Sequence, residues 1–102
     1  GSYVFLGFPP RKLGRLRTTL SGAAAGSHTL IMFEAPGRVV ALLQVALEVL
    51  GDRLAAVCIE MTKRFEKVYQ GYLSDLSTRV GDVDLRGEVS VVIAGNDRRL
   101  IR

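Results

Sequence analysis

Blocks of apolar residues separated by turn-formers run through this 102-residue chain in the order strand, helix, strand, helix, strand, strand, helix, strand. That order predicts an α/β domain, a mixed, mostly parallel sheet of about five strands with three helices packed on it. Three observations carry the prediction. His28 to Phe33, Leu54 to Ile59 and Val89 to Ala94 are short apolar runs of the kind found in strands covered on both faces. Val39, Leu42, Leu43, Ala46, Leu47 and Leu50 recur at the spacing of one helix face. Glycine or proline stands at most of the breaks between blocks.

In chain order, Tyr3 to Leu6 is β-prone and is ended by Gly7-Phe8-Pro9-Pro10, where two prolines remove donors and stiffen the loop. From Arg11 to Ala25, Leu13, Leu16 and Leu20 fall at helical spacing with basic residues between them. Gly26-Ser27 breaks that pattern before the second strand. Glu34-Ala35-Pro36 then reads as a strand-to-helix junction, with proline suited to a first turn. Gly51 closes the next helix where a left-handed C-cap is expected. After Leu54 to Ile59, Phe65 to Tyr69 alternates with charges as an edge strand does. Leu73, Leu76 and Val80 mark a short helix ending at Gly81, and Gly95-Asn96-Asp97 ends the last strand.

At this length one real core is possible, since roughly 60 to 70% of the unfolded surface can be buried. A hydrophobic fraction of 48% against 24% charged residues supplies it. No run of about 18 uncharged apolar residues exists and no basic segment leads into an apolar leader, so a cytoplasmic chain with no membrane partner is expected. Cys58 is the sole cysteine, excluding an internal disulfide, and reads as a buried thiol. With one Cys and one His, no metal site is expected. Gly1-Ser2 reads as a non-native remnant ahead of a domain over 3–95, with 96–102 as a basic tail.

The net charge of +4 suits a polyanion, and its distribution says more than its size. Arg11, Lys12, Arg15 and Arg17 cluster within seven residues, while Arg98, Arg99 and Arg102 close the chain. Cations at the start of a helix oppose its dipole, so Arg11 and Lys12 serve either a phosphate contact or a solvated basic turn. Glu34 with Arg38 at one junction is either a site or a local ion pair. The alternating charges of Glu60 to Glu66 are either a site or a solvated face. His28, the single imidazole, opens an apolar strand and reads as a cap or surface residue rather than a catalytic base. Walker, Gly-x-Gly-x-x-Gly, His-Glu-x-x-His and Cys-x-x-Cys motifs are absent. In sheets of the expected kind, ligands sit at the carboxyl ends of strands, here Gly7 to Pro10, Phe33 to Pro36, Glu60 to Lys63 and the Gly95 turn.

Taken together, Gly7 to Lys12, Phe33 to Arg38 and Ile59 to Glu66 resemble three motifs of the small-subunit rRNA (cytidine-2′-O-)-methyltransferase family, in the tetrapyrrole-methylase superfamily. Those motifs are Gly-Phe-Leu-Pro-x-Lys, Tyr-Glu-Ser-Pro-His-Arg and Arg-Glu-Leu-Thr-Lys-x-Phe-Glu. Gly71 to Leu76 and Gly87 to Gly95 resemble two later segments of the family, so the match runs from about Tyr3 to Gly95. Pro9, Ala35, Gly37, Ile59 and Met61 depart from the pattern, which removes a hydroxyl, an imidazole and a guanidinium from it.

The resemblance implies the C-terminal domain of the tetrapyrrole methylase fold, in a homodimeric enzyme that binds S-adenosyl-L-methionine between two domains. It implies a piece inactive by itself, with Phe33, Glu34, Ala35, Met61 and Thr62 beside the cofactor. Arg11, Lys12, Arg15, Arg38 and Lys63 would then meet the phosphates of rRNA, the expected partner. Two other readings are a methylase acting on a corrin or porphyrin precursor and a non-catalytic RNA-binding or dimerisation module.

Overall fold

Each apolar run expected to be a strand is one in the computed structural model, which describes residues 2–62 and 65–102. The strands are β1 (Tyr3–Gly7), β2 (Thr29–Glu34), β3 (Leu54–Thr62), β4 (Phe65–Tyr72) and β5 (Glu88–Ile93). The helices are α1 (Leu13–Ala23), α2 (Val39–Leu50) and α3 (Leu73–Gly81), with 3-10 turns at Pro36–Arg38 and Arg98–Leu100. α1 is shorter than the expected 11–25. Pro10 keeps its predecessor extended, and Lys12, also extended, stands at the helix N-cap.

The strands form one sheet in the order β1-β2-β5-β3-β4. It is mixed, with about five strands and three helices as expected, but it is not mostly parallel: of four pairings only β1 with β2 is parallel. The reason lies in the connections. β3 and β4 form a hairpin, which fixes their antiparallel sense. α3 then carries the chain back to the end where β2 finishes, bringing Val80, Gly81 and Val83 beside Pro36, Gly37 and Val40. β5 therefore starts at that end and descends between β2 and β3, antiparallel to both.

All three helices cover the same face of the sheet, and α2 packs against both α1 and α3. The core is built where one parity of each strand meets the helix stripes. Leu30 and Met32, Ala55, Val57 and Ile59, and Val89, Val91 and Ile93 are buried from the sheet side. Leu16 and Leu20 of α1, Leu42, Leu43, Ala46 and Leu50 of α2, and Leu73, Leu76 and Val80 of α3 are buried opposite them. Each Val, Leu, Ile and Met among them contributes on the order of 1.5–3 kcal/mol from burial.

The other parity faces outward, with no layer over it among the described residues. Tyr3, Phe5, Phe33, Leu54 and Val68 are exposed there, and Cys58 lies among them half-buried rather than fully buried. Gly51 has the expected positive φ of 83°, but its ψ of 178° makes it an extended exit rather than a left-handed cap. Gly81 lacks a positive φ and is simply the last residue of α3. Gly95 is required by a close approach, since a Cβ there would lie 2.2 Å from the Ser27 carbonyl oxygen.

Candidate functional site

Because β1, β2 and β3 point the same way, their carboxyl ends lie along one rim of the sheet. The segments Gly7–Pro10, Glu34–Pro36 and the end of β3 at Thr62 thus share that rim, as expected. The Gly95 turn does not belong with them. β5 runs the opposite way, so Gly95 sits at the far end, where Asn96 N–H donates to the Gly26 carbonyl. The amino end of β5, Gly87-Glu88-Val89, takes its place on the rim. A Gly-Glu pair opening the last strand was the signal for this. Reading it correctly required the strand's direction, which an apolar run does not encode.

A concavity of about 350 Å³ opens on the rim, lined by Phe8, Phe33, Ala35, Pro36, Gly87 and Glu88. Phe8 enters it because of how β1 ends. The β1–β2 register slips between Phe5 and Gly7, and Gly7 has φ 65°, so the chain turns sharply and folds Phe8 back on β2. Phe8 packs on Phe33 with ring centroids 5.6 Å apart, and Phe33 meets Phe5 edge-on at 5.1 Å. Pro9 is buried and anchors the loop, whereas Phe8 stays 69% exposed.

Glu34 points toward the helix layer and is buried. Its Oε1 accepts hydrogen bonds from Ala35 N–H at 2.8 Å and from Arg38 Nε at 3.0 Å. The pair holds the junction between β2 and α2 in shape. Arg38, expected to meet RNA, is half-buried and spends part of its charge on Glu34.

Arg11, Lys12 and Arg15 are exposed at the start of α1 and make no ion pair among the described residues. α1 has no acidic residue in its first turn and no side-chain cap. Its dipole and these cations therefore make a positive end. Arg17 differs, pairing with Glu48 of α2. Lys63 lies outside the described residues, as do the side chains of Met61 and Thr62.

At the opposite part of the rim, carboxylates gather among the described residues. Glu60 is the cross-strand partner of both Glu66 and Glu88, so three carboxylates share one rung across β4, β3 and β5. All three are exposed on the open face, beside a second hollow lined by Phe33, Cys58, Val68 and Ser90. Like charges directly opposite one another cost stability. Burial, and then the Glu66 carboxylate, push the Cys58 thiol above its ordinary pKa. Sequence spacing showed Glu60 and Glu66 but not their alignment with Glu88, which follows only from the pairing of β3 with β5.

No family model matches the chain. It is similar to proteins named ribosomal RNA small subunit methyltransferase I in several bacteria. The relative from Micromonospora olivasterospora is 41% identical over 95 residues, which are 92% of this chain and 30% of that protein. That from Mycobacterium tuberculosis is 42% identical over 94 residues, 91% of this chain and 33% of the relative. In Bacillus subtilis the figures are 32% over 95 residues, 93% and 32%. The chain thus spans about a third of the length of these curated relatives. Among solved structures, a crystal structure of the methyltransferase CobJ superposes with a TM-score of 0.67 over 94% of this chain and 42% of that one. At 13% identity that likeness shows a shared fold.

Proposed function

From a chain that matches a third of the small-subunit ribosomal RNA methyltransferase I family along nine tenths of its own length, we propose that it is the C-terminal, cofactor-cleft domain of such an enzyme. The whole protein moves a methyl group from S-adenosyl-L-methionine to a ribose 2′-oxygen of small-subunit rRNA, working as a cytoplasmic homodimer. Among the described residues no helix is long and apolar enough to cross a membrane.

One observation carries this reading: the rim divides into a basic part at the β1 edge and an acidic part over β5, β3 and β4, with an aromatic hollow between them. A polyanion is drawn to Arg11, Lys12 and Arg15 and kept from the carboxylate rung, while a cationic small molecule is drawn to that rung. The hollow fits an adenosine on chemical grounds, having flat apolar walls and a carboxylate acceptor at Glu88. Phe33, Ala35, Met61 and Thr62 would hold the cofactor, with Glu34 fixing the backbone of Ala35 for it. When bound, S-adenosyl-L-methionine supplies an electrophilic methyl group on a sulfonium.

This chain's own contribution is alignment and exclusion of water, which together can lower such a barrier by several kcal/mol. No proton acceptor in this domain is required of it. The half-neutralised Arg38 extends the phosphate contacts of Arg11, Lys12 and Arg15.

The test uses the full-length protein. Arg11→Gln with Lys12→Gln should lower the slope of log affinity for small-subunit rRNA against log salt by about one unit for each phosphate no longer neutralised. An unchanged slope excludes the role given to that pair. Methyl transfer to a tetrapyrrole, with none to ribosomal subunits, would overturn the RNA reading.

A further inference from the structure

Among the described residues Phe8 is the most exposed of the large apolar side chains at 69%, and it is not left loose. The bulge before Gly7, the buried Pro9 and the packing on Phe33 fix its ring at the tip of the β1–α1 loop. Phe33 takes one side of it, at a tilt of 55°, and Phe33 is itself steadied by Phe5. The remaining ring surface faces solvent. Arg11 and Lys12 follow three and four residues later, and Arg15 lies one helical turn beyond, all exposed. A packed, exposed aromatic ring close in sequence to cations that make no ion pair among the described residues has the two elements needed by an unpaired nucleotide. The ring offers a flat surface for the base, and the cations meet the phosphates on either side.

We infer that Phe8 is a stacking platform for one unpaired base of the RNA substrate, with Arg11 and Lys12 on its flanking phosphates. The inference rests on the RNA reading above and sharpens it, since the substrate is then a single-stranded or splayed segment rather than a continuous duplex. The acidic rung fixes the approach. A strand cannot run across Glu88, Glu60 and Glu66 without charge repulsion, so it enters from the β1 edge and reaches the hollow at Phe8 first. Base stacking tolerates any base, so Phe8 contributes affinity and placement more than sequence choice.

These 102 residues contain no tryptophan, so Phe8→Trp gives this domain a single indole, read as the difference from the parent protein. Titration of that variant with a single-stranded RNA oligonucleotide should quench the indole, and an abasic oligomer of equal charge, bound to equal occupancy, should not. Phe8→Ala should weaken single-stranded RNA binding about tenfold while leaving the salt slope intact, and Phe8→Leu should behave like Phe8→Ala. Unfolding midpoints of the three variants serve as the control that the domain is folded. Equal affinity for Phe8→Ala and parent, with Arg11→Gln still weakening binding, overturns the stacking role and leaves the RNA reading standing. Full affinity in Phe8→Leu reassigns Phe8 to packing. A change in sedimentation with unchanged RNA affinity assigns it to a protein interface, and either result overturns the inference. Absence of any salt-dependent RNA binding by the parent removes the RNA reading, and this inference with it.

Discussion

Arg53 is a guanidinium at 2% exposure that makes no ion pair among the described residues. Its Nε donates to Leu50 O at 2.8 Å, Nη1 to Ala94 O at 3.1 Å and Nη2 to Ala24 O at 2.6 Å. One planar group thus satisfies carbonyls near the ends of α2, β5 and α1, which no ammonium could reach together. Burial lowers its pKa without removing its charge. Arg53→Met should cost about 3 kcal/mol or more in urea unfolding, by leaving these carbonyls unsatisfied, and Arg53→Lys should recover less than half. Near-parent stability in Arg53→Met would show that water serves those carbonyls equally well. Cys58 gives a second test at this scale. With its pKa raised, it should react with iodoacetamide at neutral pH several times more slowly than an unstructured peptide thiol, and Glu66→Gln should speed it. Neither role was legible in the sequence. Arg53 stands between a helix and a strand, where a charge ordinarily faces water. Glu34 and Arg38, four apart at a junction, were legible as the local pair they form.

Elements were more readable than residues. Every strand and helix follows from its own apolar spacing, because that spacing is set by local geometry. Strand direction was not, as β5 shows, because it depends on where α3 delivers the chain. The closing segment also differs from a free basic tail. Asp97 accepts from Arg99 N–H and pairs with the Arg99 guanidinium. Arg102 donates to Asp52, Ser74 and Asp75 and lies over the Tyr72 ring. Two of the three arginines in that segment are therefore partly neutralised. Partial burial pushes the Asp52 carboxyl up, but hydrogen bonds from the Ser74 hydroxyl and N–H and from Arg102 outweigh it, leaving the pKa below its ordinary value. A carboxyl with a depressed folded-state pKa contributes stability that is complete above the unfolded value and is lost as pH falls through the folded one. Segment 98–102 should accordingly stay docked at neutral pH and release in acid, below the ordinary aspartate range. Hydrogen exchange of the Arg102 amide, which donates to the Asp52 carbonyl, reads this against pH once corrected for the intrinsic rate, and Asp52→Asn should abolish the transition. A transition unmoved by Asp52→Asn would place the titrating group elsewhere.

Across the whole molecule, the one-sided helix layer leaves a bare sheet face, and the strand order sets basic and acidic groups at opposite parts of one rim. The rim itself was legible, since carboxyl ends of like-directed strands must coincide. Its polarity was not, since the glutamates of β3, β4 and β5 meet only in the assembled sheet. The same strand order makes β1 an edge strand, joined to the domain by β2 alone and through a register that slips before Gly7. Edge strands with one neighbour open at lower free energy than strands held on both sides. Amide protons of Val4 and Phe5 should exchange with deuterium orders of magnitude faster than that of Val91 in β5, as mass spectrometry of peptide fragments can measure. The loop bearing Phe8 and Arg11 continues from this edge strand. A nucleotide seated on both clasps that margin to the body of the domain, and the protection it confers should spread backward to Tyr3, which it does not touch.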